Sequence, residues 1–230
     1  MRIPEIVSTS VYHVYNRGVD KRRIFVCRKD YQRFLESLYL FNDRKYHRLG
    51  GDPVLRMSAL ASIDVTESAR EPLVQVIAFV LMPNHFHLAL RQLVPGGISK
   101  YLQRLGISHT KYFNLKHKRT GRLFESTFKA KPLDFEQHLI HLPRYIHLNA
   151  LDGSVCDWRN GRVKEWNRAK QILNEYPWSS HHAYLGRSHG LPIVDEEFVK
   201  QHFKNTKSYW DYLRHWTDRN IPAFDMDVED

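Results

Sequence analysis

His85-Phe86-His87 puts two imidazoles at i and i+2, positions that project from the same face of a β-strand. So placed, they can chelate one divalent ion with little extra ordering, while Phe86 points into the opposite layer. The same pattern also fits an ordinary pair of sheet histidines. In Tyr145-Ile-His-Leu-Asn149, the i and i+4 spacing puts Tyr145 and Asn149 on one helix face. A phenol and an amide oxygen are then presented together, one a candidate nucleophile and the other a candidate metal ligand. Alternatively, Tyr145 packs against the sheet and Asn149 caps the helix C-terminus, where Asn is common. Pro143 removes a helix hydrogen bond and favours a kink or fresh start just before Tyr145.

A third signal is the segment from Lys100 to Lys131. Lys100, Arg104, Lys111, Lys116, Lys118, Arg119, Arg122, Lys129 and Lys131 stand there against the single acid Glu125, interleaved with Tyr101, Tyr112, Phe113, Phe124 and Phe128. Lys and Arg neutralise phosphates and aromatics stack on unpaired bases, which is how single-stranded nucleic acid is held. We read the charges, with Arg17, as DNA-binding and most of the aromatics as core. The three signals fit one reaction. An ion on His85, His87 and an amide oxygen keeps positions open for phosphate oxygens and acts as a Lewis acid. A tyrosine hydroxyl, with a free pKa of about 10, attacks the phosphate and forms a covalent phosphotyrosine. That ester retains the bond's energy for rejoining, in keeping with the absence of a Gly-x-x-x-x-Gly-Lys phosphate loop.

These residues need elements to hold them. Residues 10–17 read as strand one, with Gly18 as a turn. Tyr31, Phe34, Leu35, Leu38 and Phe41 predict an amphipathic helix over 30–42. Residues 73–80 read as an apolar strand, Met82-Pro-Asn84 as a turn, and 85–90 as the strand bearing the histidines. A helical region spans about 98–113, interrupted or bent near Gly106, and residues 122–131 are strand-like. Asp134 with Gln137 resembles a capping box for a helix running to about Asn149. The first six elements have the order of an α+β, ferredoxin-like fold: βαββαβ, here followed by a further helix. It implies a four-stranded antiparallel sheet with helices on one face and the His85 strand near its centre.

Lys+Arg 35 against Asp+Glu 25 leaves a net charge of +10 over 230 residues, which favours a polyanionic partner. Cys27 and Cys156 stand too far apart for a zinc ribbon or a disulfide framework. The run Val76–Met82 is too short to span a bilayer, and Met1–Ile6 lacks the apolar core of a signal peptide. Secreted and membrane classes are thereby excluded, and the expected location is cytoplasmic. All five tryptophans, at 158, 166, 178, 210 and 216, fall in the last third. We therefore divide the chain into a catalytic domain over 1–155, with a long loop at about 42–72, and a Trp-containing C-terminal extension over 156–230. The latter ends in an acidic tail, Asp225–Asp230, which either folds back on the basic surface or stays solvated.

The motifs together resemble the REP-associated tyrosine transposases, of the HUH single-strand transposases, where U is a hydrophobic residue. The resemblance rests on Tyr12-His-Val-Tyr-Asn-Arg-Gly18, Leu81-Met-Pro-Asn-His-Phe-His-Leu88, Leu102-Gln-Arg-Leu-Gly106, Tyr112-Phe-Asn114, Gly121-Arg-Leu-Phe124, Arg144-Tyr-Ile-His-Leu-Asn149 and Tyr176-Pro-Trp-Ser-Ser180, in the family's order over roughly residues 8–185. It implies that His85 and His87 are metal ligands, Asn149 the third, and Tyr145 the nucleophile. It further implies Mg²⁺ or Mn²⁺ chemistry on single-stranded DNA beside hairpins, giving a 5′-phosphotyrosine and a free 3′-hydroxyl, by a monomer or homodimer. Ala150 stands where the family has proline, and Pro143 and the long loop also depart from its pattern. Tyr112, with Lys116 rather than an amide at i+4, is the second candidate nucleophile.

Two other functions fit parts of the pattern. A non-catalytic nucleic-acid binder with the same fold would expose aromatics on its sheet. A metal-dependent hydrolase would use a cluster such as His138, His141 and His147, with water as nucleophile.

Overall fold

The computed structural model describes residues 10–46, 70–133, 136–154, 158–160, 163, 165–187 and 190–215. Most of the expected 42–72 loop, Asp134 of the expected capping box, Trp216 and the acidic tail lie outside the described residues. Strands β1 (Val11–Arg17), β2 (Val74–Met82), β3 (His85–Gln92) and β4 (Lys129–Pro132) form one antiparallel sheet in the order β2-β3-β1-β4. The two central strands are β3 and β1, with Tyr15 opposite His87 and Arg17 opposite His85.

Helices α1 (Arg28–Phe41) and α2 (Gly97–Lys116) cover one face of the sheet. There Phe34 meets Phe86 with ring centres 5.3 Å apart, and the Tyr101 hydroxyl donates to the Leu38 carbonyl at 2.8 Å. The opposite face is covered by α3 (Glu136–Leu148), which packs on β2 and β3 and meets α7 (Thr206–Arg214). Further on come α4 (Trp166–Glu175), α5 (His181–Tyr184) and α6 (Glu196–His202); the chain leading into α5 runs along the outer edge of β2, where Leu81 N–H donates to the Trp178 carbonyl at 2.8 Å and Ser180 N–H to the Phe79 carbonyl at 2.9 Å. Helices thus lie on both faces, not one. Val76 to Leu81 are consequently buried throughout, five of the six at 0% exposure, and a strand buried on both sides reads as an unbroken apolar run. Each large side chain buried this way contributes about 1.5–3 kcal/mol. Phe198, Tyr209 and Leu213 of the C-terminal third share this single hydrophobic core.

Three elements differ from the reading of the sequence. α2 runs unbroken through Gly106, because glycine still supplies the backbone donor, and buried Tyr101, Leu102, Leu105 and His109 hold both halves. Gly97, at its start, is required for space: a Cβ there would come within 2.4 Å of the Leu73 carbonyl oxygen. Of the expected 122–131 strand only residues 129–131 join the sheet, in a strand that continues to Pro132. Upstream, the Ser126 and Thr127 carbonyls accept from the Asn16 side chain, each at 2.9 Å, and so leave the ladder. α3 is a single helix with Pro143 inside it; Leu142, Tyr145, Ile146 and Leu148 anchor both sides of the proline in the core.

His109 and His147, both outside the His85–His87 pair, are buried. Nε2 of His109 lies 2.8 Å from the Ile24 carbonyl oxygen. His147 is held between the Ser180 hydroxyl at 2.7 Å and the Tyr209 hydroxyl at 2.8 Å. Burial is the main cause that depresses their pKa values from 6.5 to about 4 for His109 and about 3 for His147. As pH falls through 6.5 the unfolded chain takes up both protons, whereas the folded chain resists until those lower values. Stability therefore falls with pH across this window, by up to about 1.4 kcal/mol per pH unit for each group. Thermal melts should show Tm dropping steadily from pH 6.5 to 4, and a flat profile there would contradict the assignment.

Candidate active site

The turn between β2 and β3 is set from outside the hairpin. Gly18 N–H donates to the Asn84 carbonyl at 2.8 Å, and Ile24 and Phe25 N–H donate to the Pro83 carbonyl at 2.8 and 3.0 Å. This brings the first two sequence motifs, Tyr12–Gly18 and Leu81–Leu88, together. The turn presents the Asn84 side chain to His85, with Oδ1 2.7 Å from Nδ1. The other end of the Asn84 amide donates to the Lys21 carbonyl at 3.4 Å, so the oxygen faces His85 and Nδ1 carries the proton. His85 Nε2 is left with its lone pair. His87 Nδ1 pairs with Nε2 of His13, from β1, at 2.8 Å; with the proton on that Nδ1, Nε2 of His87 is likewise a lone-pair nitrogen. Burial is the chief cause that lowers all three imidazoles: His13 to about 3, His85 to about 4 and His87 well below 6.5. They are neutral at physiological pH, the form in which imidazole binds a cation.

Tyr145 reaches this cluster from α3. Its ring stands edge-on to His13 and His87, with centres 5.5 and 5.7 Å away, and it is only 2% exposed. Burial raises its pKa, opposed by Arg159, whose charge and hydrogen bond favour the phenolate. The Asn149 amide donates through Nδ2 to the Tyr145 carbonyl at 2.7 Å, as a helix C-terminal cap, while Oδ1 accepts from Arg159 at 3.2 Å. The helix gives way at that point to a 3₁₀ turn, Asn149–Leu151.

Arg159, His13, Asp152 and Trp158 were not among the sequence-derived candidates. Asp152 grips the Arg159 guanidinium with both oxygens, at 3.1 Å to Nε and 2.6 Å to Nη2, and accepts from the Trp158 indole at 2.8 Å. Trp158 packs against Tyr145, ring centres 5.7 Å apart, and under the guanidinium at 4.7 Å. Strand alternation puts His13 on the face of Tyr15, but only the β1–β3 register brings it to His87. No spacing rule links residues 152, 158 and 159 to the histidines. Among the described residues no three His, Cys, Asp or Glu side chains are grouped to hold a metal. His85 and His87 each present a neutral imidazole whose Nδ1 is engaged, by Asn84 and by His13, which is the donor type a divalent ion takes.

The other candidates scatter. Tyr112 lies between α1 and α2, on the opposite face of the sheet, and donates to Asp30 at 2.8 Å. Lys116 pairs with the same buried carboxylate at 2.5 Å, and Arg104 donates to the Phe41, Asp43 and Tyr46 carbonyls. Arg119 binds Asn114 Oδ1 at 2.7 Å. Lys100, Lys111, Lys118 and Arg122 are exposed. Lys129 and Lys131 sit on β4 beside the histidine face, Lys129 above the Tyr15 ring at 5.6 Å and Lys131 opposite His13. Arg17, opposite His85, pairs with Glu125 at 2.9 Å. His147 of the rival cluster points away, toward Ser180 and Tyr209.

Asp152→Ala would strip the half-buried guanidinium and the Trp158 indole of their shared acceptor. Denaturant unfolding should show a loss of about 2 kcal/mol, and no loss would mean the pair is solvated in solution.

The chain matches no protein family, and no curated protein matches it either. A solved structure of a REP-associated tyrosine transposase bound to a REP hairpin is similar at TM-score 0.45 and 14% identity, over 96% of this chain and 98% of the other. A likeness at that distance concerns the course of the backbone and assigns no chemistry. Among the described residues no helix is long and apolar enough to cross a membrane.

Proposed function

We propose that this chain is a metal-dependent tyrosine transposase or nuclease of the HUH kind. It binds REP-type DNA hairpins, and cleaves and rejoins single-stranded DNA through a 5′-phosphotyrosine. The observation that carries this reading is the meeting of Tyr145 with His87 at 5.7 Å between ring centres, with Asn149 one helical turn on. One chain supplies every member, so the reading holds for a monomer or a homodimer. The order β2-β3-β1-β4, with two helices on one face, supports a ferredoxin-like description of the sheet.

In this reading His85, His87 and Asn149 hold Mg²⁺ or Mn²⁺, which when bound supplies Lewis-acid polarisation of the scissile phosphate. Asn84 and His13 keep the two imidazoles oriented through their Nδ1 atoms. The Tyr145 oxygen bonds to phosphorus as the bond to the 3′-oxygen breaks. The phenol gives up one proton and the leaving 3′-oxygen takes one, yielding a 5′-phosphotyrosine and a free 3′-hydroxyl. Rejoining is the reverse attack by a 3′-hydroxyl. Arg17, Lys129 and Lys131 border the site and would bind the strand near it, while Lys100, Lys111, Lys118 and Arg122 add a more distant positive field.

The non-catalytic binder fits the structure less well. Tyr12, Tyr15 and Phe86 on the sheet are 2–3% exposed, so these rings cannot stack on bases.

Incubating the protein with a panel of short hairpins and Mn²⁺ should give a covalent adduct on denaturing gels, abolished by Tyr145→Phe and by EDTA. An adduct that survives Tyr145→Phe would refute the nucleophile, and hairpin binding without any adduct would favour the binder. His13→Phe keeps an aromatic ring beside Tyr145 but removes the His87 partner; Mn²⁺ titration should show affinity about 10- to 100-fold weaker.

A further inference from the structure

The Asn149 amide oxygen, the proposed third ligand, already has a cation on it. Arg159 Nη2 donates to it at 3.2 Å, and the same guanidinium is hydrogen-bonded to the Tyr145 hydroxyl. Its charge is also felt at His85 and His87. The side chain is not there by chance of a flexible stem. Asp152 holds it through Nε and Nη2, and the Trp158 ring lies 4.7 Å beneath it. Trp158 is itself fixed, at 2% exposure, by its indole bond to Asp152. The Trp158–Asn160 turn thus delivers a positive charge into a pocket of neutral imidazoles.

We propose that Arg159 opposes a divalent ion at Asn149, so that the ion and the guanidinium compete for one amide oxygen. This rests on the ligand assignment given under the proposed function. Two positive charges brought to one oxygen, in a site largely shielded from water, repel more strongly than they would in bulk solvent. The opposition is relieved by an anion placed between them. A phosphodiester approaching the Tyr145 hydroxyl lies where such an anion would sit, bonded by the guanidinium fork on one side and facing the histidines on the other. Arg159 would then make tight metal binding conditional on substrate, with Asp152 as the partner that holds the guanidinium while substrate is absent.

The test is Mn²⁺ binding alone, followed by electron paramagnetic resonance, on the full chain without DNA. Arg159→Gln removes the charge and should bind Mn²⁺ on the order of tenfold more tightly, within the usual range of coupling between sites. Arg159→Lys keeps the charge and should stay close to the unsubstituted protein. Arg159→Met, whose stem can still cover Trp158, carries the same expectation as Arg159→Gln if thermal melting shows the Gln variant to be unfolded. Equal affinity in all of them would overturn the competition and leave the ligand assignment standing. An Arg159→Lys affinity equal to that of Arg159→Gln would also overturn it, since charge would not be the cause. Failure of every variant and of the unsubstituted chain to bind Mn²⁺ would overturn both the competition and the ligand assignment.

Discussion

The edge-on packing of the Tyr145 ring against His13 and His87 joins the midline of the sheet to α3, and the rest of the site is arranged around it. Edge-to-face ring pairs contribute about 0.5–1.5 kcal/mol each beyond the area they bury, and here one phenol makes two. The contact requires the odd-numbered face of β1 and β3 to be covered by α3, and α7 packs against α3 in turn. Tyr209 illustrates the dependence. Its hydroxyl lies 2.8 Å from both His147 Nδ1 and His181 Nδ1, pinning α3 through a residue two positions from Tyr145. The last third of the chain is therefore part of what places the phenol.

Neutral imidazoles and a buried phenol form a site with little charge of its own. Into it the turn after α3 brings one guanidinium, countered by one carboxylate at the rim. The charge of Arg159 is felt at His85 and His87, with that of Arg17 at His85 and of Lys131 at His13. The opposite face of the sheet solves a different problem. There Asp30, wholly buried, is held at about 2: burial, the largest influence, pushes it up, and the bonds from Lys116, Val26, Tyr112 and Cys27 outweigh it. Tyr112 and Lys116 are committed to that carboxylate, on the side of the sheet away from the imidazoles.

Much of the architecture was legible from local patterns. Seven-residue β1, the hairpin at Pro83-Asn84 and the long helix from Gly97 all follow from alternation, turn chemistry and 3.6-residue periodicity. The errors have local causes as well. Gly106 looked like a break because glycine is a poor helix former, yet buried neighbours on both sides override that preference. The 122–131 segment looked like a long strand, but the Asn16 side chain takes two of its carbonyls before the ladder begins.

His85 and His87 share a face because side chains alternate along any strand, and Tyr145 and Asn149 share one because a helix turns every 3.6 residues; covalent spacing alone determines both. Which face of the sheet α3 covers, that His13 stands behind His87, and that Arg159 sits on the Asn149 oxygen depend on strand register and on a turn ten residues beyond Asn149. Those are set by burial of side chains far apart in the chain, from Val11 to Leu213, and no spacing within a motif contains them.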